Sequence, residues 1–307
     1  MTAAPSRLFG AIEAGGTKMV CAVGGETGGA LSRTVLPTTL PEATFAAIRA
    51  FFAQACERFG PLSAIGVASF GPVEIDPGSP AYGRILDTPK AGWTGADYRD
   101  ALQAFPVPVA VTTDVNGAGL GEWSVAGDPV PRVLAYVTVG TGIGAGVISR
   151  GAPLSGIGHY ELGHIYPPHD PMVDPYAGRC PFHGNCLEGL ASGPAIAERW
   201  GADLSVLGPD HPALTLEATY LAHLAVTLIL AHRPARIVFG GGVMKAPGLL
   251  QALRRRTAKL LSGYIDMGKT EESLDHAIMP PKLGDDAGII GALTLARSII
   301  QDGLREP

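Results

Sequence analysis

The chain has 307 residues, of which 46% are hydrophobic and 17% charged, and its formal net charge is −5. That length and apolar share suit one large domain or two lobes with substantial cores. The acidic balance, with no long Lys/Arg block, argues against nucleic acid as the main partner, and the one dense basic run, Arg254–Arg256, reads as a solvated helix face.

The first strand is expected almost at once, near Leu8, which leaves no signal peptide in view. Leu8–Ala14, Gly15-Gly16-Thr17-Lys18 and Met19–Val23 read as a β-hairpin closed by a glycine turn. An amphipathic helix follows over Pro41–Phe59, with Phe45, Ile48, Phe52, Ala55 and Phe59 inward at helical spacing. A strand over Ala64–Ala68 ends at Ser69-Phe70-Gly71-Pro72. The Gly71–Pro72 corner is either a plain turn or a source of backbone groups for a ligand.

The strand Val107–Thr112 runs into Thr113-Asp114-Val115-Asn116 and a glycine-containing helix through Trp123. Asp and Asn there are either helix caps or site residues, because ligands of α/β sheets sit beyond the carboxyl ends of strands. In the second reading Asp114 is a functional carboxylate and Asn116 orients a hydroxyl. The glycine run Gly117–Gly121 is the expected crossing between lobes of residues 1–118 and 119–285. A final helix, about 286–307, is expected to pack back on the first lobe.

The hairpin pattern then recurs. Val133–Val139 leads into Gly140-Thr141-Gly142-Ile143-Gly144-Ala145-Gly146 and Val147-Ile148. Two lobes that open with the same hairpin fit this better than a short-period repeat. Glycine turns let the backbone approach a ligand closely, and their successive N–H groups make a concave nest for phosphate oxygens. Thr17 and Thr141 add hydroxyls at equivalent places, and Lys18 adds a cation. The pair of turns therefore reads as a nucleotide-phosphate site. A Rossmann fingerprint at Gly140-x-Gly142-x-x-Ala145 is excluded because a strand, not a helix, follows the turn. That exclusion argues against an NAD-dependent dehydrogenase. The apolar stretch Tyr220–Ala231 reads as a buried helix too short to span a bilayer. After the strand Arg236–Phe239, Gly240-Gly241-Gly242-Val243-Met244 is a weaker third glycine cluster that can pack on an adenine or ribose.

Four cysteines in a chain this long are not a disulfide framework. Cys21 and Cys56 lie in apolar-patterned segments and read as buried free thiols, which suits a reducing cytoplasm. The other two lie between Glu161 and Glu188, a span that carries Glu161-Leu-Gly-His164 and then Cys180-Pro-Phe-His183-Gly-Asn-Cys186-Leu-Glu188. Two Cys and two His at this spacing can close a tetrahedral Zn²⁺ site, and the alternative is a pair of buried thiols beside unrelated histidines. His164 is preferred over His159 and His169 as the fourth ligand, because its three-residue spacing from Glu161 puts both side chains on one side of a helical or turn-like segment.

Together these segments resemble the Repressor–ORF–Kinase (ROK) family of sugar kinases over nearly the whole chain. Ile12–Lys18 resembles its first phosphate loop, Thr138–Gly142 its second, Gly240–Met244 its adenosine segment and Thr113–Asn116 its catalytic segment. The resemblance implies an α/β, two-lobed actin/hexokinase-like (ribonuclease H-like) fold with an interlobe cleft. It further implies Asp114 as general base, and ATP held by Gly15, Gly16, Thr17, Lys18, Thr141, Gly142, Gly241 and Gly242. The sugar is held by Gly71, Asn116, Glu161, His164 and Glu188, and structural zinc by His164, Cys180, His183 and Cys186. Three departures stand out. Glu13 replaces a common Asp, which bears on Mg²⁺. Thr113 replaces a frequent Asn. Cys180-x-x-His183-x-x-Cys186 replaces a cysteine-rich knuckle, and this variant is similar to that of the family's bacterial fructokinases. The expected reaction is transfer of the ATP γ-phosphoryl group to the 6-hydroxyl of D-fructose by a cytoplasmic homodimer with no nucleic-acid or membrane partner. Glucokinase, mannokinase and N-acetylhexosamine kinase are the alternatives within the family. A sugar-responsive regulator is the non-enzyme alternative, disfavoured by the early first strand and the negative charge.

Overall fold

The computed structural model describes residues 7–127, 129–267 and 271–303. The chain forms two compact units, one of residues 1–127, 155–159 and 285–307 and the other of residues 128–154 and 160–284.

In chain order the first unit contains β1 (Leu8–Ala14), β2 (Lys18–Gly24), β3 (Ala30–Pro37), α1 (Pro41–Phe59), β4 (Leu62–Ser69), α2 (Tyr98–Ala101), β5 (Val109–Thr113) and α3 (Asp114–Ser124). The second contains β6 (Val133–Val139), β7 (Ile143–Ser149), β8 (Ala152–Pro153), α4 (Leu187–Ala191), α5 (Gly193–Trp200), α6 (Leu204–Leu207), α7 (Pro212–His232), β9 (Arg236–Gly240), α8 (Leu249–Leu261), α9 (Glu271–Asp275) and β10 (Ile278–Met279). The last helix, α10 (Ala287–Gly303), returns to the first unit.

The two sheets share one topology. The first has the order β3-β2-β1-β4-β5 and the second, read from its other edge, β8-β7-β6-β9-β10. In each, an antiparallel hairpin (β1–β2, β6–β7) is followed across the sheet by parallel strands (β4 and β5, β9 and β10). The recurrence of the hairpin is thus part of a duplicated sheet.

In the first unit β1 and β2 are apolar on both faces because both are covered. Leu8, Ile12, Met19 and Cys21 pack with Phe45, Ile48 and Phe52 of α1, while Phe9, Ala11, Val20 and Ala22 pack with Ile289, Ala292 and Leu293 of α10. The alternation is that of a strand, with successive side chains on opposite faces.

The glycine run at 117–121 differs from its expected role. It lies inside α3 and within the first unit, and the chain leaves that unit after Gly127. The glycines serve close packing. A Cβ on Gly117 would stand 2.4 Å from Ala68 Cβ, one on Gly121 2.2 Å from the Ala287 carbonyl oxygen, and one on Gly291 of α10 1.6 Å from the Gly117 carbonyl oxygen. Small residues on both helices let α3, α10 and β4 approach backbone to backbone.

Helix α7 is also longer than its apolar core suggested. It spans 21 residues, beginning at Pro212 after His211, whose ring caps Ala213 N–H. By length and composition it is sufficient to cross a membrane. Here it is the central helix of the second unit, with Leu214, Leu221, Leu224, Leu228 and Ile229 buried in its core. The expected solvated run at 254–256 is also revised. Arg254 donates to the carbonyls of Ile278 and Asp275 and pairs with the Asp275 carboxylate at 2.9 Å, tying α8 to α9 and β10.

Candidate functional site

The first glycine turn shows why an anion would suit it. The three carbonyls that would repel a phosphate are each engaged from another segment. Thr38 Oγ1 donates to Gly15 O at 2.8 Å, Lys90 Nζ donates to Gly16 O, and Thr38 N–H donates to Thr17 O at 3.0 Å. Among the described residues the N–H groups of Gly16 and Thr17 make no hydrogen bond. Lys18 stands exposed at the start of β2. The second turn repeats the device. Gly193 N–H, at the start of α5, takes the Gly140 carbonyl at 2.8 Å, and the Thr141 and Gly142 N–H groups carry no partner among the described residues. Thr38, Lys90 and Gly193 were not singled out from the sequence, because their contacts span long separations and follow no local motif.

Asp114 is the first residue of α3, directly beyond the end of β5. The cap of this helix is Thr113, whose Oγ1 accepts from Asn116 N–H at 3.1 Å. The capping alternative for Asp114 is therefore not needed to explain the helix. Its Oδ1 accepts from Val115 N–H at 2.8 Å. Asn116 is buried, and its Nδ2 donates to Thr112 Oγ1 at 3.1 Å, so its amide ties α3 to β5. Gly71 follows the end of β4, exposed, with His159 Nε2 the nearest side-chain atom to its Cβ position at 3.9 Å.

Glu13, on β1, has a buried carboxyl oxygen, Oε2, with no hydrogen-bond partner. Burial pushes its carboxyl up to about 6, Lys18 and Arg33 work in the opposite direction, and Asp114 and Asp286 add to the rise. An unpaired buried oxygen near a second carboxylate fits a divalent cation, which would supply the missing partner.

In the second unit, the ligand atoms of His164, Cys180, His183 and Cys186 all lie within 4.8 Å of one another. His164 Nδ1 is 3.4 Å from Cys186 Sγ and 3.9 Å from Cys180 Sγ, and His183 Nδ1 is 3.6 Å from Cys180 Sγ. A tetrahedral zinc holding S at ~2.3 Å and N at ~2.0 Å separates such donors by about 3.5 Å. Donor types and spacings both fit that ion. Cys180 and Gly184 exchange backbone hydrogen bonds of 3.2 and 2.9 Å, which closes the knuckle. Burial, and then the neighbouring Cys180 thiol and Glu188 carboxylate, push the Cys186 thiol up to about 11. Thiolates here need a cation to offset that cost.

Two carboxylates flank this cluster. Glu161 directly precedes the single 3₁₀ turn Leu162–His164, so Glu161 and His164 leave one short segment. Gly163 makes that turn possible, since a Cβ there would lie 1.8 Å from the Ile143 carbonyl oxygen at the start of β7. Glu188, two residues beyond Cys186 on α4, accepts from Ile143 N–H through Oε2 at 3.0 Å. It therefore sits against the second glycine turn. Gly241 and Gly242 follow β9; Gly241 has φ +93° and backs onto the Val139 backbone at the end of β6.

The duplicated sheet with a glycine turn after the first strand of each half defines an actin-like sugar-kinase fold. Residues 9–299 match the ROK family, and the chain belongs to that family. It is 42% identical to a fructokinase of Zymomonas mobilis, over 94% of this chain and 96% of that one. It is 40% identical to a fructokinase of Pediococcus pentosaceus, over 96% of this chain and 99% of that one. Among solved structures it is similar to a ROK family glucokinase from Streptomyces griseus in complex with glucose and AMPPNP, with a TM-score of 0.70, 26% identity, and coverage of 95% of this chain and 99% of that one.

Proposed function

We propose that this protein is an ATP-dependent fructokinase that converts D-fructose to fructose 6-phosphate. The observation that carries the reading is the identity of about two residues in five to fructokinases along nearly their full length. Asp114 is the general base. A carboxylate with pKa near ~4 cannot strip a sugar hydroxyl in the ground state. It orients the 6-hydroxyl and takes the proton late, as phosphoryl transfer proceeds through a loose transition state. Asn116 holds α3 on β5 and so holds Asp114 in place. Glu161, His164, Glu188 and the Gly71 backbone contact the sugar. The N–H groups at Gly15–Lys18 and Thr141–Gly142 hold phosphate oxygens, and Gly241 and Gly242 take the adenosine.

Mg²⁺, carried in with ATP, neutralises charge on the β- and γ-phosphates. Glu13 is the residue of the first unit whose orphaned oxygen suits it, directly or through a bound water. A Glu13 that must be ionised to work gives an acid limb in kcat/KM for MgATP, falling tenfold per pH unit below about 6. Glu13→Gln should remove that limb and lower kcat/KM at pH 8. A wild-type profile flat down to pH 5 contradicts this role.

Zinc at His164, Cys180, His183 and Cys186 has a structural role, because four protein ligands leave no open position. A homodimer in a reducing cytoplasm completes the reading. ³¹P NMR of a reaction with MgATP and fructose tests the chemistry. Equal ADP and fructose 6-phosphate support it, and ADP with inorganic phosphate or a 1-phosphate alone refutes it.

A further inference from the structure

The segment Ile165–Asn185 holds neither helix nor strand apart from the Cys180–Gly184 bridge, yet it carries two of the four proposed metal ligands and leads directly into a third. Something must hold its backbone. At its centre Asp174 is 3% exposed. Its Oδ2 accepts from Tyr220 OH of α7 at 2.6 Å and pairs with Arg199 Nη2 of α5 at 3.2 Å. Its Oδ1 accepts from Tyr176 N–H at 3.3 Å. The same Arg199 nitrogen donates to the Leu190 carbonyl at 2.9 Å, at the end of α4, the helix that carries Glu188.

The chain of contacts reaches the cluster itself. His169 Nε2 donates to the Asp174 carbonyl at 2.9 Å, and its Nδ1 accepts from Asn185 Nδ2 at 3.3 Å. Both ring nitrogens are therefore used. That assignment of donor and acceptor follows from the partners, a carbonyl on one side and an amide on the other. It also explains why His169 is not in the cluster despite lying close to it in sequence. Asn185 precedes Cys186. Glu217 of α7 is fully buried, and desolvation holds its carboxyl well above the usual range.

We propose that Asp174 is a positioning residue of the metal loop. Buried against Tyr220 and Arg199, it fixes from the core of the second unit the segment bearing Cys180, His183 and Cys186, and through Arg199 the helix bearing Glu188. It touches neither metal nor sugar. The inference rests on the zinc reading of the cluster, and its tests separate the two.

Asp174→Asn and Tyr220→Phe are compared with wild type in zinc affinity, in hydrogen exchange of residues 166–186, and in KM for fructose against KM for ATP. Loss of an outer-shell partner typically costs 10–100-fold in metal affinity. Asp174→Asn should show a loss of about that size, faster exchange confined to the loop, and a raised KM for fructose with KM for ATP within about twofold. Tyr220→Phe should show a smaller change in the same direction. A folded Asp174→Asn with wild-type zinc affinity and wild-type loop exchange overturns the proposal. If Asp174→Asn does not fold, Tyr220→Phe decides by the same readouts, and wild-type values there overturn it. If the wild-type protein binds no zinc, the metal reading fails. Loop exchange alone then decides the anchor, with unchanged protection in both variants counting against it.

Discussion

Asp114→Asn should fold, bind ATP as wild type does, and turn over about 10²–10⁴-fold more slowly, the usual span for loss of a general base. The fold is expected to survive because Thr113, not Asp114, caps α3. An Asn Oδ1 can also keep the hydrogen bond from Val115 N–H. What the helix loses is a negative charge at its N-terminus, worth about 0.3–1 kcal/mol. Asn can still hold a hydroxyl, but it cannot accept its proton, so the loss falls on kcat. Thr113→Ala supplies the contrast. Removing the cap costs about 1 kcal/mol of stability while leaving the carboxylate in place, so that variant should melt earlier and keep most of its kcat. An Asp114→Asn enzyme with near-wild-type kcat, or one that unfolds, means that Asp114 is a structural residue.

Cys180→Ser should release the zinc and raise KM for fructose by tenfold or more, with KM for ATP changed far less; second-shell losses alone cost about 10–100-fold in metal affinity, and a lost ligand costs more. Serine is a poor zinc ligand at neutral pH, and three remaining donors leave an open, weaker site. The sugar is affected because the cluster is contiguous with the carboxylates proposed to hold it. His164 leaves the same 3₁₀ turn as Glu161, and Glu188 lies two residues beyond Cys186. ATP is affected less because the first phosphate turn belongs to β1 and β2 of the other unit. The second turn does touch Glu188 through Ile143 N–H, so a modest rise in KM for ATP is consistent. Metal analysis and steady-state kinetics of the purified variant check both halves. A Cys180→Ser protein with stoichiometric zinc, or a fully active zinc-free wild type, contradicts the assignment.

Local chemistry was legible in the sequence, and long-range chemistry was not. The hairpins at Leu8–Gly24 and Val133–Ser149 were readable because a glycine turn between two apolar runs encodes them within a short window. Helix α1 was readable because Phe45, Ile48, Phe52 and Ala55 repeat at helical spacing and are all buried. The four proposed metal donors were readable by type and spacing, and their ligand atoms come together. Gly117–Gly121 misled because glycine means flexibility only where nothing presses on it, and here β4 and α10 do. The amide of Asn116 bonds Thr112, a partner four residues away that pattern alone does not select. Asp174, Arg199, Tyr220, Thr38 and Lys90 gave no signal. Each is an ordinary residue until a partner 20 or more positions away is brought beside it, as Thr38 meets Gly15 and Tyr220 meets Asp174.

The central claim is that this chain phosphorylates fructose in preference to other hexoses. ADP release with MgATP, measured as kcat/KM across fructose, mannose, glucose and the N-acetylhexosamines, tests it most directly. The account predicts the highest value for fructose, with Asp114→Asn slower by about 10²–10⁴-fold on every sugar in the same assay. A clear preference for glucose, mannose or an N-acetylated sugar contradicts the fructokinase assignment, and no ADP release with any of them contradicts the kinase itself.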